Sequence, residues 1–265
     1  MTAVVACVGD NCIDRYVGDA QCDLPGGNAL NVAVHLGADY YGAVGTDEEG
    51  RAILGQARAA GVGVDGVETR PGPSGVTLVQ LERGERRFLR EDYGVAADYR
   101  VSHELARTLQ GYRWVHLARQ PDAAELAPAL RAAGVAVSYD FCDLWDTGLA
   151  ARLAPQLDVA FFSGDGEAAR IAAERGARVA VATLGDRGSV AWTRVGRTEQ
   201  PALPATVIDT LGAGDALIAG FIAATLAGAD VRASLEAGAS AAAEACGHAG
   251  AWPRRPRQMG HAASA

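Results

Sequence analysis

The sequence lacks the features that define several large classes of protein. It has five cysteines, an odd number with no CxxC pair, which argues against a disulfide framework and against a zinc site. No run approaches the roughly 18 apolar residues of a transmembrane helix. The first residues have no basic region ahead of their short apolar run, so no signal peptide is expected either. We therefore predict a cytoplasmic protein with free thiols and no membrane partner.

An excess of positive charge is also missing. The formal net charge is -8, which argues against a nucleic acid or an anionic membrane surface as the partner. Nucleotide phosphates remain possible ligands, because local backbone amides and a metal ion can hold them. The motif GxxxxGK[ST] is absent, which excludes a P-loop enzyme, and no GxGxxG follows the first apolar strand, so dinucleotide binding has weak support.

Short apolar strands alternate with helical patterns along most of the chain. This order predicts an α/β fold whose mostly parallel sheet carries helices on both faces. The stretch at about 74–93 differs, because it is rich in β-forming residues and turns at Arg83-Gly84, which predicts a two-stranded ribbon that serves as a lid. We expect one domain over residues 1–252 and a disordered tail over residues 253–265.

One segment points to chemistry. DTLGAGDALIAGF, residues 209–221, places two glycines and two aspartates ahead of an apolar helix. Gly212, Ala213 and Gly214 leave backbone N–H groups open at the helix N-terminus, where an anion binds well. A simple anion receptor gains nothing from the nearby carboxylate of Asp215, whereas an enzyme that moves phosphate onto a hydroxyl does. The alternative is a carboxylate that only stabilises the helix end, by about 0.3–1 kcal/mol.

Two further glycine motifs lie far from this one in sequence, PGGNALN near the start and TLGDRGS at residues 183–189. A single glycine pair is usually only a turn. All three motifs, however, stand where a predicted strand ends or a helix begins. Ligands of such sheets bind at the carboxyl ends of the strands, so together the motifs indicate one binding site.

The motifs GGNALN, TLGDRGS and DTLGAGD resemble the signatures of the ribokinase-type (PfkB) carbohydrate kinase family, and the similarity extends over about residues 4–252. The resemblance implies a ribokinase-like three-layer α/β fold with a small β lid, and an ATP-dependent phosphotransferase that acts on an alcohol group. The segments GDNCIDRY, YDFCDLWD and HAGAW are similar to members that phosphorylate Amadori compounds. The expected acceptor is therefore the terminal (6-) hydroxyl of a fructosamine such as fructoselysine.

The resemblance also assigns roles to residues. It implies that Asp215 is the general base and that the amides of Gly212, Ala213 and Gly214 bind the γ-phosphoryl group. The residues expected to bind the sugar are Asp10, Asp14, Gly26, Gly27, Asn28 and Asn31. Glu91 on the lid and Arg119 at the cleft mouth would meet the charged groups of an amino-acid-bearing sugar. Such a charge run is otherwise simply a solvated face.

ATP is expected to lie against Thr183, Gly185 and Gly188, together with Gly212 and Gly214; the alternative for the first three is a tight turn between strands. The Asn-x-x-Glu stretch of the family is incomplete here, because Gly164 stands at its Asn position. Glu167 remains a candidate to organise water around Mg²⁺, and otherwise it is an exposed residue of a first helical turn. Asp209 is a candidate for a monovalent cation site, which would suit K⁺. The alternative is a turn that Asp209 stabilises.

The apolar residues on both faces of the predicted lid indicate a protein partner. Strand alternation places Val76 and Leu78 on one face and Val79 and Leu81 on the other, and a lid can cover the cleft with only one face. We therefore expect a homodimer formed through the lid. Two other functions stay open: a kinase for another small sugar or nucleoside, such as fructose, ribose or ketodeoxygluconate, and a catalytically silent protein that binds a nucleotide or sugar. An intact Asp215 disfavours the second.

Overall fold

The computed structural model describes residues 4–17, 22–82, 85–142, 147–164 and 166–253. The predicted turn at Arg83-Gly84 lies outside the described residues, as does the predicted tail from residue 254 onward. All five cysteines are described, and each is a free thiol. Among the described residues, no helix has both the length and the apolar character needed to cross a membrane.

The strands and helices follow one another in the predicted alternation over most of the chain. The strands are β1 (Val5–Gly9), β2 (Cys12–Val17), β3 (Cys22–Gly26), β4 (Asp39–Tyr41), β5 (Ala43–Gly45), β6 (Glu68–Arg70), β7 (Ser74–Glu82), β8 (Glu85–Gly94), β9 (Trp114–Ala118), β10 (Ala136–Asp140), β11 (Val159–Ser163), β12 (Val179–Thr183), β13 (Ser189–Thr193) and β14 (Gly196–Gln200). The helices are α1 (Asn28–Leu36), α2 (Glu48–Ala59), α3 (His103–Leu109), α4 (Ala123–Ala132), α5 (Thr147–Leu153), α6 (Gly166–Glu174), α7 (Ala213–Leu226) and α8 (Val231–Ala245).

An eight-stranded sheet forms the middle layer, in the order β14-β13-β12-β11-β10-β9-β1-β4. Its strands are parallel from β4 to β12, and β13 and β14 continue it in antiparallel fashion. Strands β1 and β9 are buried along their whole length, which matches their uninterrupted apolar sequences. The prediction of a mostly parallel sheet is confirmed.

Helices cover both faces of this sheet, as predicted. One apolar cluster packs α3, α4, α5 and α6 against the sheet, with Leu109, Leu130 and Leu153 fully buried. A second cluster packs α1, α2, α7 and α8 against the other face through residues such as Leu30 and Phe221. The result is the three-layer arrangement that the sequence indicated.

The ribbon differs from the prediction. β7 and β8 pair as expected, but they form only half of a four-stranded sheet with the order β3-β2-β7-β8. We name this four-stranded sheet the lid sheet. The polar segment that contains Asp14 and Arg15 gave no strand signal, because its alternation puts polar side chains on both faces. Its partner β7 is distant in sequence, and that pairing makes β2 a strand.

Candidate active site

A cleft of about 210 Å³ lies between the lid sheet, the carboxyl ends of the central strands and the N-termini of α1 and α7. The structure brings most of the predicted site residues together here. Those that line the cleft are Asp10, Asp14, Gly27, Asn28, Asn31, Glu91, Arg119, Thr183, Gly212, Gly214 and Asp215. The predicted residues outside this lining are Gly26, Ala213, Gly185, Gly188, Glu167 and Asp209.

Asp215 lies in the first turn of α7, where Asn31 of α1 holds its carboxylate. The Asn31 Nδ2 donates a hydrogen bond to the Asp215 Oδ2 at 2.7 Å. Asn31 is buried, and its Oδ1 accepts no hydrogen bond from any described residue. The amide group is thus oriented with its donor on the carboxylate, so the oxygen remains available to accept a hydrogen bond from a ligand hydroxyl.

The start of α7 depends on a glycine. Gly212 is the N-cap and has a φ of 77°, in the left-handed region that favours glycine. A Cβ at this position would lie 2.5 Å from the Cα of Ala251. The amide of Ala213 already donates to the Thr210 carbonyl at 3.3 Å. Of the three predicted anion-binding positions, Gly212 and Gly214 therefore border the cleft, whereas the amide of Ala213 has a partner in the protein.

Asp209 stabilises this turn through hydrogen bonds. Its carboxylate is fully buried and accepts hydrogen bonds from the Tyr16 hydroxyl at 2.5 Å and from the amides of Leu211 and Gly250 at 2.9 Å. Burial and the neighbouring Asp209 carboxylate raise the pKa of Tyr16, which stays a neutral donor. Asp209 thus ties the lid strand β2 to the turn that precedes α7, and the predicted role in cation binding stays a prediction.

Asp14 projects from the lid strand β2 into the cleft and is buried. The Cys12 Sγ lies 3.4 Å from the Asp14 Oδ1. Gly26 pairs within the neighbouring strand β3, and a Cβ at that position would overlap the Asp14 carboxylate. The glycine predicted to approach the sugar therefore serves here to make room for Asp14.

Asp10 directly follows β1 and caps helix α1. Its two carboxylate oxygens accept hydrogen bonds from the backbone amides of Asn28 and Ala29, each at 3.1 Å. Burial raises the pKa of Asp10, and the Ala29 amide and Arg119 oppose that rise. These bonds fix the start of α1 and so the direction of the Asn28 and Asn31 side chains.

Asp140 lines the cleft but was not predicted as a site residue. It is the last residue of β10, and its carboxylate accepts hydrogen bonds from the Asn28 Nδ2 and, at 2.8 Å, from the amide of Cys142. Burial raises the pKa of Asp140 to about 6, with a further contribution from the charge of Asp10. The available signal was an aspartate at the carboxyl end of an apolar parallel strand, where ligands bind.

The lid sheet touches the central sheet at the mouth of the cleft. Arg119 follows β9 with a φ of 47°, lies 3.7 Å from the Glu91 carboxylate and packs over the ring of Tyr93 at 4.8 Å. The Tyr93 hydroxyl donates to the Glu91 Oε1 at 3.0 Å. The predicted pair Glu91 and Arg119 is thus brought together. Other lining residues that sequence reasoning missed are Cys12, Thr77, Phe88, Tyr93, Cys142, Phe161, Phe162, Ser163 and Ile218.

The predicted nucleotide residues follow β12. Thr183 lines the cleft, and Gly185 and Gly188 shape the turn after it, with φ of 64° and 88°. Glu167, in the first turn of α6, is exposed and lies 2.5 Å from the Arg170 guanidinium, which lowers the pKa of Glu167. In the described part of the chain, no three His, Cys, Asp or Glu side chains are grouped to hold a metal ion.

The family model described as "pfkB family carbohydrate kinase" matches residues 21–256. The chain therefore belongs to the pfkB family of carbohydrate kinases, enzymes that transfer phosphate to a hydroxyl, and the sequence-based resemblance is confirmed. The fold agrees: the ribokinase of Arabidopsis thaliana, solved with ribose and ATP, superposes with a TM-score of 0.80 at 23% identity and covers 95% of each chain.

Two similar proteins carry more specific names. The fructoselysine 6-kinase of Shigella flexneri is 37% identical over 261 residues, which cover 94% of this chain and 99% of the relative. The fructosamine kinase FrlD of Bacillus subtilis is 34% identical over 261 residues, which cover 92% of this chain and 91% of the relative.

Proposed function

We propose that this protein is an ATP-dependent kinase that phosphorylates the terminal (6-) hydroxyl of a fructosamine such as fructoselysine. The observation that carries the proposal is the Asp215 carboxylate, which Asn31 orients at the N-terminus of α7 inside the cleft. The names of the two similar kinases supply the substrate class. The cleft thus combines a carboxylate that can accept the hydroxyl proton with backbone amides that can bind a phosphate.

In the proposed reaction the sugar hydroxyl attacks the γ-phosphorus and gives its proton to the Asp215 carboxylate, while the bond from the γ-phosphorus to the β–γ bridging oxygen breaks and ADP leaves. A positioned base of this kind contributes on the order of 10²–10⁴-fold. The open amides at the start of α7 stabilise the charge that spreads over the phosphoryl oxygens. Gly212 and Gly214 keep that end free of side chains, so the phosphoryl group can approach the backbone.

The sugar is held from two sides in this proposal. Asp14 reaches it from the lid sheet and accepts hydrogen bonds from a pair of hydroxyls, while the Asn31 Oδ1 accepts one from α1. Asp10 acts indirectly, because its oxygens already cap α1. Glu91 and Arg119 pair with each other in this structure and would exchange that pairing for the ammonium and carboxylate of an amino-acid substituent.

ATP would lie along Thr183 and the turn that contains Gly185 and Gly188. Mg²⁺ bound to the ATP phosphates supplies charge neutralisation, and it typically takes few protein ligands and keeps several waters. Glu167 would act on it through water after parting from Arg170.

We further propose a K⁺-responsive turn at Asp209, a homodimer formed through the lid sheet, and a cytoplasmic location. The free state of all five cysteines supports the last of these. Leu89 of β8 is 46% exposed, which supports a partner on the lid. Activity in K⁺ against Na⁺ tests the first, and light scattering of the purified protein tests the second. A decrease in activity of less than twofold without K⁺ would contradict the cation proposal. A monomer at micromolar concentration would contradict the homodimer.

The decisive experiment measures ADP release with MgATP and a panel of fructoselysine, other fructosamines, fructose, ribose and adenosine. Turnover that favours the fructosamines by at least tenfold in kcat/KM is the expected result. A preference for a plain sugar or for adenosine would move the function to another branch of the same chemistry. No turnover from protein that still binds ATP would favour a silent binding protein.

A further inference from the structure

Helix α1 contacts two carboxylates: Asp215 in helix α7 and Asp140 at the end of strand β10. Asn31 donates to Asp215 at one end, and Asn28 donates to Asp140 one turn earlier. Residues three apart in a helix lie on the same face, separated by about 4.5 Å along the axis. Asp215 and Asp140 therefore stand at two ends of a short span, comparable with the width of a sugar ring. A sugar whose terminal hydroxyl meets Asp215 has its other end toward Asp140.

A second cavity, of about 250 Å³, adjoins the cleft at that far end. It shares Arg119, Asp140 and Cys142 with the cleft. The remaining lining residues are Gln120, Pro121, Tyr139, Phe141 and Leu149. Among the described residues, none of this lining comes from α7 or from the lid sheet, so the cavity leads away from the site of phosphoryl transfer.

The polar groups around Asp140 suit a cation with more than one N–H. Each Asp140 oxygen accepts one hydrogen bond and can accept another. The neighbouring Asn28 Oδ1 is buried and accepts none from the described residues. The Oε1 of Gln120, a residue 1% exposed that lines the second cavity, likewise has no partner in the described part of the chain. A ligand with N–H donors would satisfy these acceptors.

The charge of the cleft favours the same ligand. Its described lining includes one arginine and the carboxylates of Asp10, Asp14, Glu91, Asp140 and Asp215. Asp215 and Asp14 have roles toward hydroxyls, Asp10 caps a helix and Glu91 lies beside Arg119. Asp140 accepts hydrogen bonds from Asn28 and Cys142 but has no assigned role toward a sugar hydroxyl, and a bound cation offsets the cost of burying its charge better than a neutral hydroxyl does.

We propose that Asp140, with the Asn28 Oδ1, binds the ammonium nitrogen that joins the sugar to its amine, and that the substituent on this nitrogen enters the second cavity beside Arg119, which lines both cavities and pairs with Glu91. This inference rests on the proposed fructosamine kinase function and assigns its specificity to a residue outside the phosphoryl-transfer machinery. A secondary ammonium has two N–H groups, one for each acceptor. The raised pKa of Asp140 agrees, because a bound cation relieves the cost of burying its charge.

The test compares kcat/KM for fructose, 1-amino-1-deoxyfructose and fructoselysine in the wild type and in Asp140→Asn. We expect the ratio of 1-amino-1-deoxyfructose to fructose to fall about 10- to 100-fold in the variant, as for loss of a charge-assisted hydrogen bond. Asp98→Asn, which removes an exposed aspartate outside both cavities, is the matched control and should keep the ratio.

Leu149→Trp narrows the second cavity and should lower kcat/KM for fructoselysine at least tenfold more than for 1-amino-1-deoxyfructose.

An unchanged ratio in Asp140→Asn would overturn the inference while the wild-type preference for fructosamines keeps the proposed function. A wild type with no such preference would overturn both. Should Asp140→Asn not fold, the N-acetyl derivative of 1-amino-1-deoxyfructose provides the same test in the wild type, because its nitrogen is neutral. A loss of tenfold or more against the free amine supports the inference, and equal use overturns it.

Discussion

The Asn31 amide and the Asp215 carboxylate are joined by a 2.7 Å hydrogen bond, although 184 positions separate them in the chain. This bond connects helix α1 to helix α7, which begins at the turn containing Gly212. It gives the proposed base a fixed direction, and it leaves the Asn31 Oδ1 for a ligand. Both halves of the proposed reaction, the acceptor hydroxyl and its base, therefore depend on the packing of α1 against α7.

Asp215→Asn should lower kcat by about 10²–10⁴-fold, because the amide cannot take the proton of the attacking hydroxyl. Folding and ATP binding should persist, since Asn has nearly the same shape. Steady-state kinetics and calorimetric titration of ATP provide the two measurements. Turnover within tenfold of the wild type would remove Asp215 from the role of base.

Asn31→Leu should lower kcat for the sugar about 10- to 100-fold, because it removes a hydrogen bond to a charged group that orients the base. The KM for the sugar should also rise, whereas the Kd for ATP should stay within threefold. This split separates a positioning role from general damage. An equal loss of sugar and ATP binding would instead indicate that α1 has shifted as a whole.

Gly212→Ala should destabilise the protein, whereas Gly214→Ala should leave its stability unchanged. Alanine at position 212 must adopt a left-handed conformation, at about 1–2 kcal/mol, and its Cβ would press against Ala251. At position 214 a Cβ meets no atom within 4 Å, so the protein should keep its stability while the methyl group obstructs the phosphate. Urea unfolding and kcat measure the two effects. Equal stability losses would contradict the assignment.

Asp140→Asn should change how the free energy of unfolding depends on pH. The pKa of Asp140 is raised from 3.8 to about 6 in the folded protein, so its contribution to stability is present at low pH and is lost as pH rises through 6. The loss amounts to at most about 3 kcal/mol, since each unit is worth about 1.4 kcal/mol. The variant should therefore gain stability relative to the wild type between about pH 4 and pH 6.

Denaturant unfolding of both proteins across that range measures this difference. The comparison subtracts the titration of Asp10, which is present in both. A constant difference in stability from pH 4 to pH 7 would show that Asp140 does not titrate in this window.

Tyr16→Phe should destabilise the protein by about 1–3 kcal/mol, because the buried Asp209 carboxylate loses one of three donors. The same change loosens the connection between the lid strand β2 and the turn before α7, so the KM for the sugar should rise. Tyr41→Phe is a suitable control, since it removes a hydroxyl that forms a hydrogen bond with Tyr112, and neither residue lines the cleft. Identical kinetics in the two variants would disprove the coupling.

Much of the site was predictable where a short motif carries both its chemistry and its local structure. The turn before α7 is one case, because Gly212 and Asp215 act within a single stretch of chain. The start of α1 at Asn28 is another. Asp140 and β2 escaped prediction for a different reason. Each depends on neighbours that are remote in sequence, and neither has a periodic pattern that reports those neighbours.

The sequence by itself determined the α/β class, the family and the position of the proposed base, because apolar periodicity and local glycine motifs encode them. Only the tertiary structure decided that Gly26 makes room for Asp14, that Asp209 joins Tyr16 to the turn before α7, and that a second cavity opens beside Asp140. These relationships are contacts between distant segments. They follow from how the layers pack, and packing distances leave no mark in a local pattern of residues.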